Sequence, residues 1–394
     1  TAQQHSVQSM SLYRLVSPPG RILNAVNQVM HAPVIAPLLL AVYWAVMLLL
    51  SALMAPVALI DGITKAWADA SATEAAPAER AGLAIVVTGC DSGFGRSLAV
   101  ALAERGYTVF AGCLSPETAA LTGIHRLRAC KMDVTSDADV DSCVAAVHAW
   151  VEEGCGARRL LSVVSNAGRG AGGWVDWLSM GDYESDIAVN FLGVVRVSKS
   201  FLPLLRRSAA AAAGSPFASP PRLLIVSSMS GKLPVPLLSS YSASKHAAAA
   251  FAACLRMELA NVWGVHVSTA LPSFHRTPLT TGGVGVLVQK WTSLGGEARA
   301  LYGDQCAESC FRIADGMMSD WAWEPERVTE ALARAATTRG APPAEVTIGA
   351  DARFGLNLLR HLPAAALETV IWRWYASELV PPAGASADGK GRAS

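Results

Sequence analysis

The feature that most constrains the fold is a short apolar run that leads directly into a glycine-rich turn. Residues 84–88, Ala-Ile-Val-Val-Thr, have the composition of a buried parallel strand, and Gly89, Gly93 and Gly95 follow. Residues 96–105 then have the pattern of a helix. A strand, a glycine turn and a helix in this order place backbone amides and a helix N-terminus where they can bind a pyrophosphate. The spacing differs from the commoner Gly-x-Gly-x-x-Gly, and a simple tight turn is the alternative.

A tyrosine and a lysine four residues apart form the second informative pattern. Residues 239–250 favour helix, so Tyr241 and Lys245 project from one face. A lysine cation close to a phenol stabilises the phenolate, which makes the tyrosine usable as an acid or a base. Such a tyrosine can take the proton of an alcohol while hydride leaves the same carbon. Ser228 precedes the pair and can hydrogen-bond the reacting oxygen.

Taken in order along the chain, these features resemble the short-chain dehydrogenase/reductase family. The matching positions are the Thr-Gly-x3-Gly-x-Gly loop, an Asn-Ala-Gly turn, a helical Asn and the Ser, Tyr and Lys above, at residues 88–95, 166–168, 190, 228, 241 and 245. The resemblance extends over residues 81–375. Residues 109–114, 199–207 and 227–229 resemble the branch that contains mitochondrial D-3-hydroxybutyrate dehydrogenase, and residues 274–278 resemble its sister group, the microsomal retinol and hydroxysteroid dehydrogenases.

The resemblance implies roles for individual residues. Catalysis would fall to Asn190, Ser228, Tyr241 and Lys245, with Asn190 holding a water of the proton relay. The dinucleotide would contact Thr88, Gly89, Asp91, Ser92, Gly93, Phe94, Gly95, Asp133, Asn166, Ala167, Gly168, Tyr241, Lys245, Pro272 and Thr277. Two residues depart from the family pattern beside the cofactor. Ser165 replaces an Asn, and Ser273 replaces a Gly, where the added Cβ is expected to crowd the ring or to force a different backbone angle.

The fold that the resemblance implies is α/β, a Rossmann-type doubly wound sheet of about seven parallel strands. The implied activity is that of an NAD(P)-dependent short-chain alcohol dehydrogenase/reductase that interconverts a secondary alcohol (3-hydroxybutyrate-like, retinol or hydroxysteroid) and its carbonyl. NAD is favoured over NADP because Asp91 would repel a 2′-phosphate and the second strand, residues 107–113, ends without Arg or Lys. The alternative is a catalytically weak or inactive nucleotide-binding accessory subunit of a mitochondrial membrane complex.

The N-terminal part of the chain predicts a membrane anchor. Residues 22–60 carry no formal charge, and residues 36–59 are apolar and long enough to cross a bilayer as one helix. Residues 1–35 would then be an extension and residues 60–80 a linker. A buried hairpin helix or a cleaved signal is the alternative. The residues before the apolar stretch include two arginines and no acidic residue. This pattern favours the mitochondrial inner membrane as the location, with the endoplasmic reticulum second.

The remainder of the chain divides into a catalytic domain, residues 81–345, a C-terminal membrane-associated amphipathic segment, residues 346–380, and a tail, residues 381–394. Packing of the C-terminal segment on the core is the alternative for that segment. A low-complexity stretch at residues 208–221 is predicted to be a surface loop.

A substrate lid is predicted at residues 274–323, with a flexible glycine-containing part at residues 279–285. A carboxylate substrate would need a lid cation, for which the candidates are His275, Arg276, Lys290, Arg299 and Arg312. A steroid or retinoid would need an apolar tunnel, for which the candidates are Trp291, Phe311, Met317, Met318, Trp321 and Trp323. The sequence leaves both classes open.

Composition excludes several other classes of function. Hydrophobic residues make up 52% of the chain and charged residues 16%, which fits membrane contact, and a net charge of +1 gives no electrostatic case for nucleic acid. No metal site is expected, since the 8 cysteines are spread singly and are predicted to be buried thiols. Cys306 and Cys310 are predicted to share one helix face. The expected partners are a small alcohol or carbonyl compound, membrane lipid, and either identical subunits or a membrane assembly.

Overall fold

The computed structural model describes residues 74–117, 121–213, 219–319, 322–349, 352–353 and 359–385. These residues belong to one compact unit, Thr73–Ser394. The predicted transmembrane helix at residues 36–59 lies outside the described residues, as do the N-terminal extension and most of the predicted linker.

The architecture is a doubly wound α/β fold around one parallel sheet, as predicted. In chain order the strands are β1 Leu83–Thr88, β2 Thr108–Cys113, β3 Leu127–Lys131, β4 Arg159–Ser165, β5 Arg222–Val226, β6 His266–Pro272 and β7 Glu345–Ile348. They form a 7-stranded sheet in the order β3-β2-β1-β4-β5-β6-β7. The chain reverses its direction across the sheet between β1 and β4, so a crevice opens at the carboxyl ends of these two strands, which is where such folds bind ligands.

Helices cover both faces of the sheet and extend beyond its carboxyl edge. In chain order they are α1 Pro77–Arg80, α2 Gly93–Glu104, α3 Asp137–Glu152, α4 Met180–Ile187, α5 Gly193–Ala212, α6 Ser239–Trp263, α7 Pro278–Thr281, α8 Gly283–Ser293, α9 Gly296–Tyr302, α10 Asp304–Ser319, α11 Glu326–Thr337 and α12 Ala364–Glu378. A π-helical turn, Ala188–Leu192, joins α4 to α5.

The position of strand β1 in the sheet explains why its residues form an uninterrupted apolar run. All of its residues are buried. Ile85 lies in a core cluster with Leu98 of α2, on one face of the sheet, whereas Val86 lies in a second cluster with Phe201 of α5, on the other face. A strand covered by helices on both faces has no solvent-facing positions, so alternation of polar and apolar residues is lost.

One long stretch of the described chain, Met180–Ala212, is apolar enough to cross a membrane by length and composition. It consists of α4, the π-helical turn and α5. Helix α5 buries Val197, Phe201 and Leu205 against the sheet. We therefore interpret this stretch as a core helix of the α/β fold.

Two boundaries predicted from the sequence are wrong. The stretch at residues 208–221 is not a loop throughout, because α5 continues to Ala212 and Ser208 Oγ accepts a hydrogen bond from the buried amide of Leu160 at 3.1 Å. The catalytic domain does not end at residue 345, because β7 continues to Ile348. Alanine-rich sequence favours helix, and α5 accordingly continues into the low-complexity stretch.

Residues 74–80, predicted to be the end of a linker, pack on the domain. The Glu74 carboxylate pairs with Arg80 at 3.2 Å and with Arg105 at 2.9 Å. Ala75 is buried in the same core cluster as Leu98.

The cysteines are free thiols throughout the described chain. Cys306 and Cys310 are both buried on α10, which confirms that they share a helix face. The prediction that the cysteines are buried is wrong for Cys155 and Cys254, which are exposed.

Candidate active site

At two positions of the glycine loop, the backbone conformation or the close neighbours permit only glycine. Gly89 has a φ of +71°, and a Cβ added there would lie 2.7 Å from Cα of Ala167. A Cβ added to Gly95 would lie 2.2 Å from the carbonyl oxygen of Gly89 and 2.5 Å from Nδ2 of Asn166. The loop leads directly into α2, which begins at Gly93 rather than at the predicted residue 96. The result is a bare backbone surface at a helix N-terminus, and this surface fits a dinucleotide pyrophosphate.

Thr88 and Asn166 join the glycine loop to the end of β4. Thr88 Oγ1 accepts hydrogen bonds from the amides of Asn166 at 3.0 Å and of Ala167 at 2.9 Å. Asn166 Nδ2 donates in return to the carbonyl oxygens of Thr88 at 2.9 Å and of Gly89 at 3.3 Å. These two residues, both predicted to contact the cofactor, therefore fix the glycine loop after β1 relative to the turn that follows β4.

Asp91 lies at the end of β2, where the sequence showed no acidic residue. Its carboxylate accepts hydrogen bonds from the amides of Leu114 and Ser115, each at 3.0 Å. The glycine loop thus supplies an acid to the position at which related folds hold the ribose hydroxyls.

The segment after β6 packs against the other side of the glycine loop. A Cβ added to Gly93 would lie 3.7 Å from Cβ of Thr277. The ring of His275 is 1% exposed and stands edge-on to the ring of Phe94, with 5.8 Å between centroids. His275 was predicted as a possible lid cation, and this is wrong because it is buried behind the loop. Thr277 Oγ1 accepts from the amide of Thr280 at 3.3 Å and so caps α7.

Asp133 follows β3 at the same edge of the sheet and has an observed role in a turn. Its Oδ1 accepts hydrogen bonds from the amide of Thr135 at 2.8 Å and from its hydroxyl at 2.7 Å. These bonds hold the pKa of Asp133 below its usual range. Contact of Asp133 with an adenine ring stays a prediction.

The two residues that depart from the family pattern fit without backbone strain. Neither Ser165 nor Ser273 has a positive φ. The expectation that the Cβ of Ser273 crowds the ring or forces a different backbone angle stays a prediction. Both hydroxyls are buried without a hydrogen-bond partner among the described residues.

Asn190 lies at the centre of the π-helical turn and is fully buried. Its side chain donates to the carbonyl oxygen of Arg169 at 2.8 Å and to Ser244 Oγ at 2.9 Å, and it accepts from the amide of Arg169 at 2.9 Å. Isolated π-turns occur frequently at functional sites. The side chain of Asn190, just after α4, therefore contacts both the segment that follows β4, at Arg169, and helix α6, at Ser244.

The other three predicted catalytic residues meet at the same place. Ser228 is hydrogen-bonded to Tyr241. Lys245 Nζ lies 5.7 Å from the centroid of the Tyr241 ring and donates to the carbonyl oxygen of Val226 at 3.0 Å. A Cβ added to Gly168 would lie 3.3 Å from Oδ1 of Asn190 and 3.4 Å from Nζ of Lys245. The predicted Ser, Tyr, Lys and Asn therefore converge beside the glycine loop.

Burial dominates the electrostatics of this pair in the protein alone. It raises the pKa of Tyr241 to about 12, against a hydrogen bond from Ser228 that lowers it. Burial also lowers the pKa of Lys245 to about 8, against the negative charge of Asp186. The sequence led us to expect that Lys245 lowers the pKa of Tyr241. In the structure the removal of the phenol from water is the largest influence on this pKa, and the hydrogen bond from Ser228 is the contact that lowers it.

A model of the short chain dehydrogenase family matches residues 83–283. The chain belongs to this family. Among curated proteins, mouse retinol dehydrogenase 5 is 32% identical over 295 residues, 73% of this chain and 87% of its own length. Human 17-beta-hydroxysteroid dehydrogenase type 6 is 30% identical, with the same two shares covered. Rat mitochondrial D-beta-hydroxybutyrate dehydrogenase is 37% identical over 199 residues, which are 48% of this chain and 54% of that protein.

Solved structures show the same fold. A short-chain dehydrogenase from Burkholderia phymatum in complex with NAD has a TM-score of 0.55 and 21% identity, and covers 74% of this chain and 95% of its own. A short chain dehydrogenase from Burkholderia cenocepacia in complex with NADP has a TM-score of 0.54 and 21% identity, with 74% and 98% covered. The chain is thus a short-chain dehydrogenase with an NAD(P)-binding fold.

The segment predicted to be the lid, residues 274–323, is largely helical and holds three of its five candidate cations in ion pairs. The pairs are Arg276 with Glu324, Lys290 with Asp182 and Arg299 with Asp304, at N–O distances of 2.6, 2.6 and 3.6 Å. Arg312 is exposed. Residues 279–285 lie mostly in α7 and α8, and their flexibility stays a prediction.

Beneath the lid helices is an aromatic cluster. The rings of Trp177 and Trp291 are 5.0 Å apart, and Tyr302 lies 5.6 Å from Trp177. Of the predicted tunnel residues, Trp291 is buried in this cluster and Phe311 packs against it. Trp321 lies outside the described residues.

Sequence reasoning missed two charged residues beside the catalytic group, Asp186 and Arg169. Asp186 is fully buried, and Arg169 Nε lies 3.4 Å from its Oδ1. One pattern could have indicated Asp186, because it precedes Asn190 by one helical turn and so projects from the same face.

A cavity of about 740 Å³ lies at the opposite edge of the sheet and is not this site. It is lined by residues at the amino ends of two strands, including Leu83, Arg159 and Leu160. The glycine loop and the catalytic side chains lie at the carboxyl ends, where parallel sheets bind their ligands.

Proposed function

We propose that this chain is a membrane-anchored, NAD-dependent short-chain dehydrogenase that reversibly oxidises an apolar alcohol. The observation that supports this most strongly is the meeting of Asn190, Ser228, Tyr241 and Lys245 beside a glycine loop. A protein that only held a nucleotide would need the loop but not the four polar side chains.

The mechanism assigns one task to each side chain. Ser228 hydrogen-bonds the reacting oxygen of the alcohol, and Tyr241 takes its proton. Lys245 holds a positive charge next to the phenol, and Asn190 positions the water through which the proton leaves. The nicotinamide, when bound, accepts the hydride in oxidation and supplies it in reduction.

Preference for NAD over NADP follows from Asp91. Its carboxylate lies at the end of β2, held by the amides of Leu114 and Ser115. A 2′-phosphate at this place would bring two negative charges together, and no Arg or Lys is present at residues 89–95 or 112–115 to offset them.

We expect the wild-type protein to use NAD with a kcat/KM at least about 10-fold above that for NADP, a discrimination equal to about 1.4 kcal/mol. Asp91→Asn removes the negative charge and should lower the ratio of kcat/KM for NAD to kcat/KM for NADP. Glu104→Gln removes an exposed acid from the far end of α2 and is the matched control, with no change expected. Equal use of both nucleotides by the wild-type protein would refute the assignment.

An apolar substrate is supported by the lid. Three of the five predicted lid cations are in ion pairs and a fourth is buried behind the glycine loop, which leaves the exposed Arg312 as the remaining candidate for a carboxylate anchor. The lid helices pack on a buried aromatic cluster, which makes the interior of the predicted lid apolar. The retinol and hydroxysteroid dehydrogenases also match 73% of the chain, against 48% for the hydroxybutyrate enzyme.

The test is reduction of NAD, followed by its near-ultraviolet absorbance, with the lipid-solubilised full chain. We expect all-trans-retinol or a hydroxysteroid to be oxidised faster than D-3-hydroxybutyrate. Oxidation of D-3-hydroxybutyrate alone would overturn the substrate class. Bound nucleotide without turnover of any of the three would favour an accessory subunit.

We expect the oxidation rate to rise as pH increases, since only the phenolate of Tyr241 can accept a proton. It should level off above about pH 8, where Lys245, whose pKa burial lowers to about 8, loses its charge as fast as Tyr241, whose pKa is about 12, gains its own. Reduction of the carbonyl product needs the phenol and should be favoured at lower pH. Initial rates from about pH 6 to pH 10 test this, and an oxidation rate that falls steadily from pH 6 would contradict it.

Membrane attachment is proposed from both ends of the chain. The apolar residues 36–59 would cross the bilayer. Helix α12 exposes Val370, Trp372 and Trp374 by 48%, 45% and 43%, which suits an interfacial position. Mitochondrial inner membrane is the favoured location and endoplasmic reticulum the second. The full chain should stay with membranes in an alkaline carbonate wash, and its release would refute the transmembrane helix.

A further inference from the structure

A buried carboxylate, Asp186, joins the elements that form the catalytic group. It lies on α4 and is 0% exposed. Its Oδ2 accepts hydrogen bonds from Ser240 Oγ at 2.7 Å and from the amide of Ala171 at 3.2 Å. Its Oδ1 lies 3.4 Å from Nε of Arg169. Ser240 precedes the catalytic Tyr241 in the first turn of α6, so the carboxylate links that turn to the segment after β4.

An ionised carboxylate without solvent is destabilising unless charges and hydrogen bonds compensate it. Here the compensation comes from one partly exposed cation and two neutral donors. Arg169 faces Asp186 from the segment after β4, and the catalytic Tyr241 and Lys245 face it from α6. On its own helix, Asp182 pairs with Lys290 of α8, and Glu184 is exposed. The groups that face Asp186 therefore include the proposed catalytic pair as well as Arg169.

We propose that Asp186 is a positioning residue of the reaction, which fixes the first turn of α6 and sets the charge around Tyr241 and Lys245. This inference rests on the proposed dehydrogenase function. It assigns to α4 a residue that touches neither substrate nor cofactor and acts through the two that do.

The negative charge of Asp186 changes the pKa values of Tyr241 and Lys245 in the same direction. A negative charge disfavours ionisation of the phenol and favours the ammonium form of the lysine. Asp186 accordingly raises the pKa of Tyr241 and raises that of Lys245 against the lowering effect of burial. Loss of the charge should lower both values. The carboxylate thus keeps Lys245 protonated, although burial alone would favour its neutral form.

The first experiment is the pH dependence of alcohol oxidation in Asp186→Asn. The pH at which the rate levels off follows the pKa of Lys245 and should move to lower pH by about one unit, the size of effect expected of one nearby charge. Asp182→Asn removes an acid from the same helix and should leave this pH in place. A lower kcat at every pH with an unmoved transition would show a merely structural role and overturn the proposal.

A second measurement does not depend on turnover. The ¹³Cε resonance of Lys245 in the full chain, assigned by its absence in Lys245→Met, reports the protonation of that amine. Its midpoint should be lower in Asp186→Asn than in the wild-type protein, and unchanged in Asp182→Asn. Asp186→Ser is made in parallel in case the Asn variant does not fold. An unchanged midpoint in the folded Asp186 variant refutes the inference, whereas a shifted midpoint in a chain that oxidises no alcohol refutes only the proposed function.

Discussion

Tyr241→Phe is expected to lower kcat by about 10³-fold, because it removes the group that exchanges a proton with the alcohol. The ring and its packing are retained, so the nucleotide should bind within a few-fold of the wild-type affinity. The measurements are the steady-state rate of NAD reduction and the Kd of NADH from its fluorescence. The hydroxyl is the single atom removed, and its partner Ser228 stays in place to bind the substrate oxygen.

The matched control is Tyr107→Phe, which removes a hydroxyl from another buried tyrosine. Tyr107 is 0% exposed and directly precedes β2, at the edge of the sheet opposite to the glycine loop. Turnover should therefore be retained. If Tyr241→Phe also retained its turnover, the proton-transfer role of Tyr241 would be wrong, whatever the substrate.

Gly95→Ala is expected to abolish measurable nucleotide binding and to destabilise the fold by about 1–3 kcal/mol. The added Cβ would lie 2.2 Å from the carbonyl oxygen of Gly89 and 2.5 Å from Nδ2 of Asn166. Neither neighbour can move freely, since Gly89 is main chain in a turn and Asn166 holds that turn through two hydrogen bonds. Thermal unfolding and NADH fluorescence measure the two effects.

Gly285→Ala provides the control for a glycine without such neighbours. Gly285 lies in α8, and an added Cβ would meet no atom within 4 Å. Alanine is favoured over glycine in a helix by about 1 kcal/mol, so the stability should hold or rise and the nucleotide should bind normally. Unimpaired nucleotide binding in Gly95→Ala would show that the loop does not approach the cofactor closely.

The parts of the candidate site that could be predicted from the sequence are those that depend on neighbouring residues along the chain. The apolar run of β1 and the three glycines define a strand, a turn and a helix within about twenty residues, and short-range sterics fix that arrangement. The four proposed catalytic residues were selected from their order and spacing, and the structure brings them together.

Interactions between distant segments could not be predicted in the same way. Lys290 and Asp182 pair across 108 positions of sequence, and nothing near Lys290 indicates its partner. The buried Asp186 and its contact with Arg169 depend on how α4 packs against the segment after β4. The pKa of Tyr241 depends on burial, which the spacing to Lys245 does not reveal.

Transfer of hydride from carbon to the nucleotide is the central claim, and isotope transfer measures it most directly. All-trans-retinol, a hydroxysteroid and D-3-hydroxybutyrate, each deuterated at the carbinol carbon, would be supplied together with NAD to the lipid-solubilised full chain. Mass spectrometry of the reduced nucleotide should show one deuterium with the wild-type protein and none with Tyr241→Phe. Nucleotide that binds to the wild-type protein and stays unlabelled would contradict the account and indicate a subunit that holds the nucleotide without using it.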